Sequence, residues 1–275
     1  MNLPIEFEKK MKAFLGNEWE EFLYSYDNNR FQALRFNTLK VGKNKSVEEE
    51  IAGIMDKLCI PMDKKVTWAN DAYYYDEEKR PGKHPYHEMG LYYIQEPSAM
   101  SAAALLAPKP GRRVLDLCAA PGGKSVHLAE KLQGTGMVEA RDLTEYKTDL
   151  IRQNIERHQL SNMRAVQMDA TVLDEASIGK ADVVIADLPC SGLGVMRKKT
   201  DIKYKMTLQT EQELVSLQRK MLETVCQYVK VGGTLLYSTC TMDKMENEDN
   251  VTWFLKQHPQ FELVKMQQIF PQETY

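Results

Sequence analysis

The sequence of 275 residues has few cysteines, no long apolar run and no excess of basic charge. Its five cysteines are an odd number and form no Cys-x-x-Cys pair, which disfavours a disulfide framework or a zinc site. No run of about 18 apolar residues is present, so no segment has the pattern of a membrane-spanning helix. The formal net charge of −3 gives no overall attraction to nucleic acid, so any such binding has to be local. Residues 1–6 lack the pattern of a signal peptide. We therefore expect a cytoplasmic protein without a metal or a membrane partner. The sequence does not indicate the oligomeric state, and a monomer is assumed.

A strand, a glycine turn and a helix follow one another at residues 114–132. The apolar strand runs into Gly122 and Gly123, and a helical pattern occupies residues 125–132. A helix N-terminus after such a turn presents backbone N–H groups to a ligand, and glycine lets the ligand approach the backbone. The pattern is neither the Gly-x-Gly-x-x-Gly dinucleotide motif nor a phosphate-binding P-loop. An ordinary strand-to-helix turn is the alternative, and the downstream residues favour a ligand site.

Alternating strands and helices from residue 95 onward predict an α/β domain with a Rossmann-like, doubly wound sheet. The predicted strands cover residues 114–117, 137–142, 165–169, 182–188, 234–239 and 261–266, and the predicted helices cover residues 97–106, 125–132, 145–158, 211–229 and 247–258. Gly232 and Gly233 are expected to break the long fourth helix. Residues 1–94 carry a smaller α+β pattern, with strands at 34–40, 66–68 and 72–75 and a helix near 47–58. The predicted domains are therefore 1–94 and 95–275.

Three aspartates end successive predicted strands of the second domain. Asp142 follows Gly123 by 19 residues, close to the spacing of about 20 at which a carboxylate binds ribose hydroxyls. Asp169 and Asp187 end the next two strands. A single aspartate at a strand end is usually a cap or turn residue. Three of them around a glycine turn predict a cofactor of the nucleoside type in one crevice.

Two cysteines follow strands on the same predicted side of the sheet. Cys190 lies in the segment DLPCSG at 187–192, and Cys240 lies in YSTCT at 237–241. We expect both near the cofactor, beside a lysine that favours a thiolate. Cys59 and Cys226 lie on apolar helical patterns and are predicted to be core residues.

Two further stretches have a composition that suits RNA. The basic residues between the two cysteines, which fit a phosphate backbone or a solvated loop, are Arg197, Lys198, Lys199, Lys203 and Lys205. Residues 73–93 are rich in tyrosine, lysine and histidine. Their tyrosines either stack on bases or pack within short strands, and both alternatives stay open.

These motifs resemble those of the Sun (Fmu) family of RNA cytosine-5 methyltransferases. The resemblance rests on LDLCAAPGGK at 115–124, the two cysteine segments, LRFNT at 34–38 and YIQEPSAM at 93–100, and it covers nearly the whole chain. The first hundred residues are similar to the RsmF type, whereas DLTEYK at 142–147 and GVMRKK at 194–199 are similar to the RsmB type. Because the chain stops soon after the sixth predicted strand, we expect its C-terminal end to be incomplete.

The resemblance implies S-adenosylmethionine (SAM) as cofactor and small-subunit ribosomal RNA, or the assembling subunit, as partner. The residues that would hold the methionine end of SAM are Cys118, Ala119, Ala120, Pro121, Gly122, Gly123 and Lys124. Asp142 would bind the ribose, Asp169 the adenine side, and Asp187 would lie between cofactor and target base. Cys240 would be the nucleophile that adds to carbon 6 of cytosine, and Cys190 would help to release the product. Residues 1–94 would bind RNA.

Three alternative functions predict other residues at these motifs. A DNA cytosine-5 methyltransferase uses the Pro-Cys cysteine as nucleophile together with a Glu-Asn-Val motif. Residues 248–251 match that motif only in part. A SAM-binding scaffold for ribosome assembly would not need the pair of thiols. An amino-methyltransferase would show two prolines and an aromatic residue after the fourth strand, where this chain has Leu188, Pro189 and Cys190.

Overall fold

The computed structural model describes residues 3–25, 31–43, 45–196, 201–205 and 207–270. The described residues form two compact units. The first is drawn from residues 1–30, 188–222 and 239–265, and the second from residues 31–187, 223–238 and 266–275. These units group residues by contact, and the predicted domain boundary between residues 94 and 95 stays a prediction.

A five-stranded parallel sheet forms the centre of the second unit. Its strands are β4 (Arg113–Asp116), β5 (Met137–Asp142), β6 (Met163–Gln167), β7 (Ala181–Asp187) and β8 (Val229–Ser238). They lie in the order β6-β5-β4-β7-β8, and every neighbouring pair is parallel. The order reverses at β4, so the ends of β4, β5 and β7 meet at the point where such sheets bind ligands. The predicted doubly wound α/β fold is confirmed.

Helices connect these strands and cover the sheet. They are α5 (Pro97–Leu106), α6 (Gly123–Lys131) and α7 (Glu145–His158). Thr144 caps α7 through its side chain, which accepts from the backbone N–H of Lys147. Buried side chains of the three helices, among them Ala103, Val126 and Ile151, share one core with the strands. This packing holds the glycine turn between β4 and α6 in place.

The rest of the second unit begins with a three-stranded antiparallel sheet. Its strands are β1 (Gln32–Phe36), β2 (Ala72–Tyr75) and β3 (Tyr92–Gln95), in the order β2-β1-β3. Helix α3 (Val47–Lys57) begins at a capping box between Ser46 and Glu49, and a short helix α4 (Pro85–Glu88) precedes β3. Leu34, Phe36 and Met55 are central to the core of this sheet and helix. The small α+β pattern predicted for the start of the chain is present.

The first unit is helical. It contains α1 (Ile5–Leu15), α2 (Trp19–Ser25), α8 (Ile202–Lys205), most of α9 (Leu208–Val225) and α10 (Glu248–Gln257). Phe7, Met11 and Trp19 pack with Leu193 and Met196, so the segment that follows Cys190 shares a core with the first helices.

Three of the predicted strands are wrong or displaced. Residues 66–68 form no strand, although an isolated bridge joins the preceding residue, Lys65, to Tyr73. The third strand of the large sheet ends at Gln167, two residues before Asp169. Residues 261–266 form no strand, because no described segment pairs with them and side chains such as Val264 stay exposed. An apolar pattern alone does not make a strand without a neighbour to bond with.

The glycine pair at 232–233 was predicted to break a helix, and this prediction is wrong. Helix α9 already ends at Val225, and β8 runs through both glycines. The pairing with β7 is irregular there, and Gly232 has a φ of +74°. A β-carbon at Gly233 would lie 3.0 Å from the carbonyl oxygen of Asp182. The pair therefore serves a bulge and a close approach within the strand.

In the part of the chain that the structure describes, no helix is long and apolar enough to cross a membrane.

Candidate active site

The turn between β4 and α6 is closed by backbone hydrogen bonds. Gly122 has a φ of +108°, a conformation that favours glycine, and its N–H donates to the carbonyl of Ala119 at 2.6 Å. The N–H of Ala119 in turn donates to the carbonyl of Arg141 on β5 at 2.9 Å. The turn is thus anchored to the neighbouring strand, next to Asp142.

Asp142 fixes the turn with its side chain. Its Oδ2 accepts the N–H of Ala120 at 3.0 Å, and its Oδ1 accepts the N–H of Leu143 at 2.8 Å and lies 3.0 Å from Nζ of Lys147. Asp169 lies just beyond β6, where its Oδ1 accepts from the backbone and hydroxyl of Thr171. The carboxylate predicted for the ribose is therefore at the end of β5, as expected, whereas Asp169 belongs to the following turn.

Asp187 accepts hydrogen bonds on both carboxylate oxygens. Nζ of Lys124 donates to Oδ2 at 2.6 Å, and the hydroxyl of Ser238 donates to Oδ1 at 2.7 Å. The structure thus brings together Lys124 from the first turn of α6 and Asp187 from the end of β7, both predicted site residues. Ser238 was missed, although it lies within the YSTCT motif at the end of β8.

Burial raises the pKa of two side chains next to the glycine turn, Asp116 at the end of β4 and Cys118. It raises the pKa of Asp116 to about 6, against the opposing effect of a hydrogen bond donated by Ser125 at 2.5 Å. Burial, with the carboxylates of Asp116 and Asp142 nearby, raises the pKa of the Cys118 thiol to about 12. Cys118 therefore stays a neutral thiol at neutral pH, which argues against a role as nucleophile.

Strand β3 of the small sheet lies against the glycine turn. A β-carbon at Gly123 would lie 3.1 Å from Cε1 of Tyr93 and 3.4 Å from Nε2 of Gln95. Oε1 of Gln95 is buried and accepts no hydrogen bond within the described residues. Sequence reasoning missed both contacts. Both residues lie in the YIQEPSAM segment at 93–100, which was interpreted only as part of the family resemblance and not as part of the site.

The two predicted catalytic cysteines lie together in the first unit. Their Sγ atoms are 3.2 Å apart, and the N–H of Cys240 donates to Sγ of Cys190 at 3.3 Å. The hydrogen bond with Cys240, together with burial, raises the pKa of the Cys190 thiol well above its usual range. The predicted lowering of a thiol pKa by a neighbouring lysine is thus wrong for Cys190, because its charged form lies beside a second sulfur.

The remaining sequence expectations have mixed outcomes. Arg197, Lys198 and Lys199 lie outside the described residues. Cys226 is buried as predicted, but Cys59 is exposed, with a left-handed backbone just beyond α3. The tyrosines of the small sheet that pack in cores instead of facing solvent are Tyr73, Tyr75, Tyr92 and Tyr93. The packing alternative is therefore correct for these four.

Comparison with known families agrees with this geometry. The family described as "16S rRNA methyltransferase RsmB/F" matches residues 103–274, and that described as "N-terminal domain of 16S rRNA methyltransferase RsmF" matches residues 3–97. The chain belongs to the RsmB/F family. The family resemblance seen in the motifs is confirmed, including the RsmF character of the first hundred residues.

Individual members of the RsmB/F family show the same relationship. The chain is 38% identical over 226 residues to the probable ribosomal RNA small subunit methyltransferase B of Bacillus subtilis, which covers 82% of this chain and 50% of that protein. It is 31% identical over 281 residues to ribosomal RNA small subunit methyltransferase F of Cronobacter sakazakii, covering 98% and 57% respectively. The chain thus spans about half the length of these curated relatives.

A solved structure shares the fold. The methyltransferase homolog from Pyrococcus horikoshii is 29% identical, with a TM-score of 0.74 over 88% of this chain and 74% of that one. SAM is the cofactor of this methyltransferase fold, so the predicted cofactor is confirmed for the family. The turn fits it, because the buried Oε1 of Gln95, next to Gly123, is an acceptor without a partner among the described residues.

Proposed function

We propose that this protein transfers a methyl group from SAM to carbon 5 of a cytosine in RNA through a covalent cysteine–cytosine intermediate. The observation that supports this best is the 3.2 Å separation of the Cys190 and Cys240 sulfurs, which come from two different motifs. A binding scaffold has no use for two adjacent thiols in loops that follow strand ends. We propose small-subunit ribosomal RNA as the substrate, as in the names of the relatives.

The nucleophile is Cys240, which is exposed. Carbon 5 of cytosine is too weak a nucleophile to take a methyl group unaided. Addition of the Cys240 thiolate to carbon 6 forms an S–C bond and moves an electron pair to carbon 5, which then accepts the methyl group. Loss of the carbon 5 proton to a base restores the double bond and expels the thiolate.

Cys190 acts in the release step. Its raised pKa keeps Cys190 protonated while the Cys240 sulfur is the attacking thiolate, so Cys190 does not compete as nucleophile. Once the Cys240 sulfur is bonded to carbon 6, it is no longer a thiolate that accepts a hydrogen bond from the Cys190 thiol and repels a second negative charge. The main cause of the raised pKa is then gone, and Cys190 becomes a better base at the stage where the carbon 5 proton has to leave.

Cofactor and base recognition are assigned to residues of the second unit. SAM supplies an electrophilic methyl group when bound. Residues 118–124 would hold its methionine end, Asp142 the ribose and Asp169 the adenine side. Asp187 would donate a proton to ring N3 of cytosine, which requires that an oxygen now accepting from Lys124 or Ser238 bind a proton instead.

The target cytosine has to be unpaired or flipped out, because neither face of a stacked base admits a thiol. Residues 1–94 and the basic residues near 197–205 are proposed to contact the RNA backbone, and a ribosomal substrate goes with the expected cytoplasmic location. Because Tyr73, Tyr75, Tyr92 and Tyr93 pack in cores, these four tyrosines are not among the side chains proposed to contact RNA.

Transfer of labelled methyl from SAM to unmodified small-subunit ribosomal RNA tests the proposal. The RNA is offered naked and as assembled subunits, with duplex DNA as control, and bisulfite sequencing maps the product. Label at one cytosine of the RNA supports the proposal and identifies the target. Label on DNA alone, or no label on either RNA form while SAM still binds, contradicts it, and the second result favours the scaffold function.

A further inference from the structure

The segment that carries Cys190 is held on both sides by two buried side chains. The N–H of Ser191 donates to Oε2 of Glu246 at 2.9 Å. Nε2 of Gln218 donates to the carbonyl of Pro189 at 2.9 Å and to the same Oε2 at 2.8 Å. Glu246 and Gln218 are both 0% exposed. The peptide groups before and after Cys190 are therefore fixed by one hydrogen-bonded pair.

The segment that carries Cys240 is held by Asn247, the residue that follows Glu246 in the chain. The hydroxyl of Thr239 donates to Oδ1 of Asn247 at 2.6 Å. Nδ2 of Asn247 donates to the carbonyls of Thr241 at 3.0 Å and Asp243 at 2.9 Å. The residues on both sides of Cys240 thus bond to one amide side chain.

We propose that the consecutive residues Glu246 and Asn247 are positioning residues that set the separation of the two thiols. One holds the Cys190 segment, the other holds the Cys240 segment, and a single peptide bond joins them. The segments also touch directly, since the N–H of Gly194 donates to the carbonyl of Cys240 at 2.9 Å. Neither positioning residue is proposed to bind the reacting atoms, because both act through the segments that carry the cysteines. Their effect on catalysis, unlike their effect on thiol geometry, rests on the proposed function.

The geometric part is tested without RNA. Glutathione disulfide oxidises two adjacent thiols to a disulfide, with two electrons and two protons passing to form two molecules of glutathione. Peptide mapping by mass spectrometry follows the Cys190–Cys240 linkage in the full chain. Glu246→Ala and Asn247→Ala are each expected to slow linkage by about tenfold or more, because a shift of about 1 Å is enough to lower the rate of an oriented reaction strongly.

Conservative and neighbouring variants separate positioning from general loss of structure. Glu246→Gln keeps an oxygen that accepts from Ser191 and Gln218, so its linkage rate is expected to stay near that of the wild type. Glu248→Ala changes an exposed residue directly after Asn247, at the start of α10, and is the matched control. If Glu246→Ala does not fold, as judged by lost SAM binding, Gln218→Ala replaces it. Wild-type linkage rates in Asn247→Ala and in the folded variant at Glu246 or Gln218, or equal slowing in Glu248→Ala, would overturn the proposal.

If the proposed function is correct, substitutions of the adjacent residues Glu246 and Asn247 have opposite effects on the covalent protein–RNA adduct. On denaturing gels after incubation with RNA and SAM, Glu246→Ala is expected to accumulate a covalent protein–RNA band, because release depends on Cys190. Asn247→Ala is expected to show less of that band, because attack depends on Cys240. A covalent band that is equally weak in Glu246→Ala and Asn247→Ala contradicts this division of roles. No band in any variant, including Cys190→Ala, with slowed disulfide linkage would reject the proposed function but support the positioning of the thiols.

Discussion

The sulfur atoms of Cys190 and Cys240 lie 3.2 Å apart, although 50 positions separate the two residues in the chain. Each thiol is therefore part of the other's environment. The consequence is unequal reactivity, since the contact raises the pKa of Cys190.

Cys190 is expected to react slowly with iodoacetamide at neutral pH and faster as the pH rises. A thiol reacts as its thiolate, and a raised pKa lowers the thiolate fraction at any pH below it. In Cys240→Ala the main cause of the raise is removed, so Cys190 should be alkylated faster at the same pH. Peptide mass spectrometry measures the rates. Cys59→Ala, at an exposed cysteine, should leave the Cys190 rate unchanged, and an equal increase in that control would argue against the pair as the cause.

Replacement of the two cysteines is expected to stop the reaction at different stages. Cys240→Ala removes the nucleophile and should abolish both methyl transfer and the covalent adduct. Cys190→Ala should allow attack but stall release, leaving a protein–RNA band on a denaturing gel. A band in Cys240→Ala alone would show that the roles are reversed.

Asp142→Asn is expected to weaken SAM binding about tenfold or more, since hydrogen bonds to a charged group contribute about 1.5–3 kcal/mol. The amide of asparagine cannot accept on both sides, so either Ala120 or Leu143 loses its acceptor and the turn loosens. Isothermal titration calorimetry measures the dissociation constant. Asp149→Ala, at an exposed position on the following helix, is the control. Unchanged affinity in Asp142→Asn would exclude this carboxylate from the cofactor site.

Arg35 and Glu130 form an ion pair with almost no exposed surface. Arg35→Met is expected to lower the free energy of unfolding by about 3–5 kcal/mol, because it leaves an unpaired buried carboxylate. The double variant Arg35→Met/Glu130→Leu should lose less. Arg112→Ala breaks a half-exposed pair with Asp182 and should cost about 0–1 kcal/mol. Urea unfolding measures all three, and a double variant less stable than Arg35→Met would contradict the explanation.

The sequence predicted the large sheet well because its signals are local. Helix α7 was predicted at its observed bounds, and the strand that ends at Asp142 was also correct. The glycine pair at 232–233 and residues 261–266 were misread. In both cases the outcome depends on a neighbouring strand, which a local pattern does not include.

By itself, the sequence determined the order of strands and helices, the glycine turn, and the motifs in which Asp142, Asp187, Cys190 and Cys240 lie. Hydrophobic periodicity and turn chemistry act over a few residues, so they can be read along the chain. Only the tertiary structure decided that two sulfurs meet at 3.2 Å, that Tyr93 lies against Gly123, and that Glu246 and Asn247 hold the two cysteine segments. These contacts join residues far apart in sequence, and close packing of the whole chain selects them.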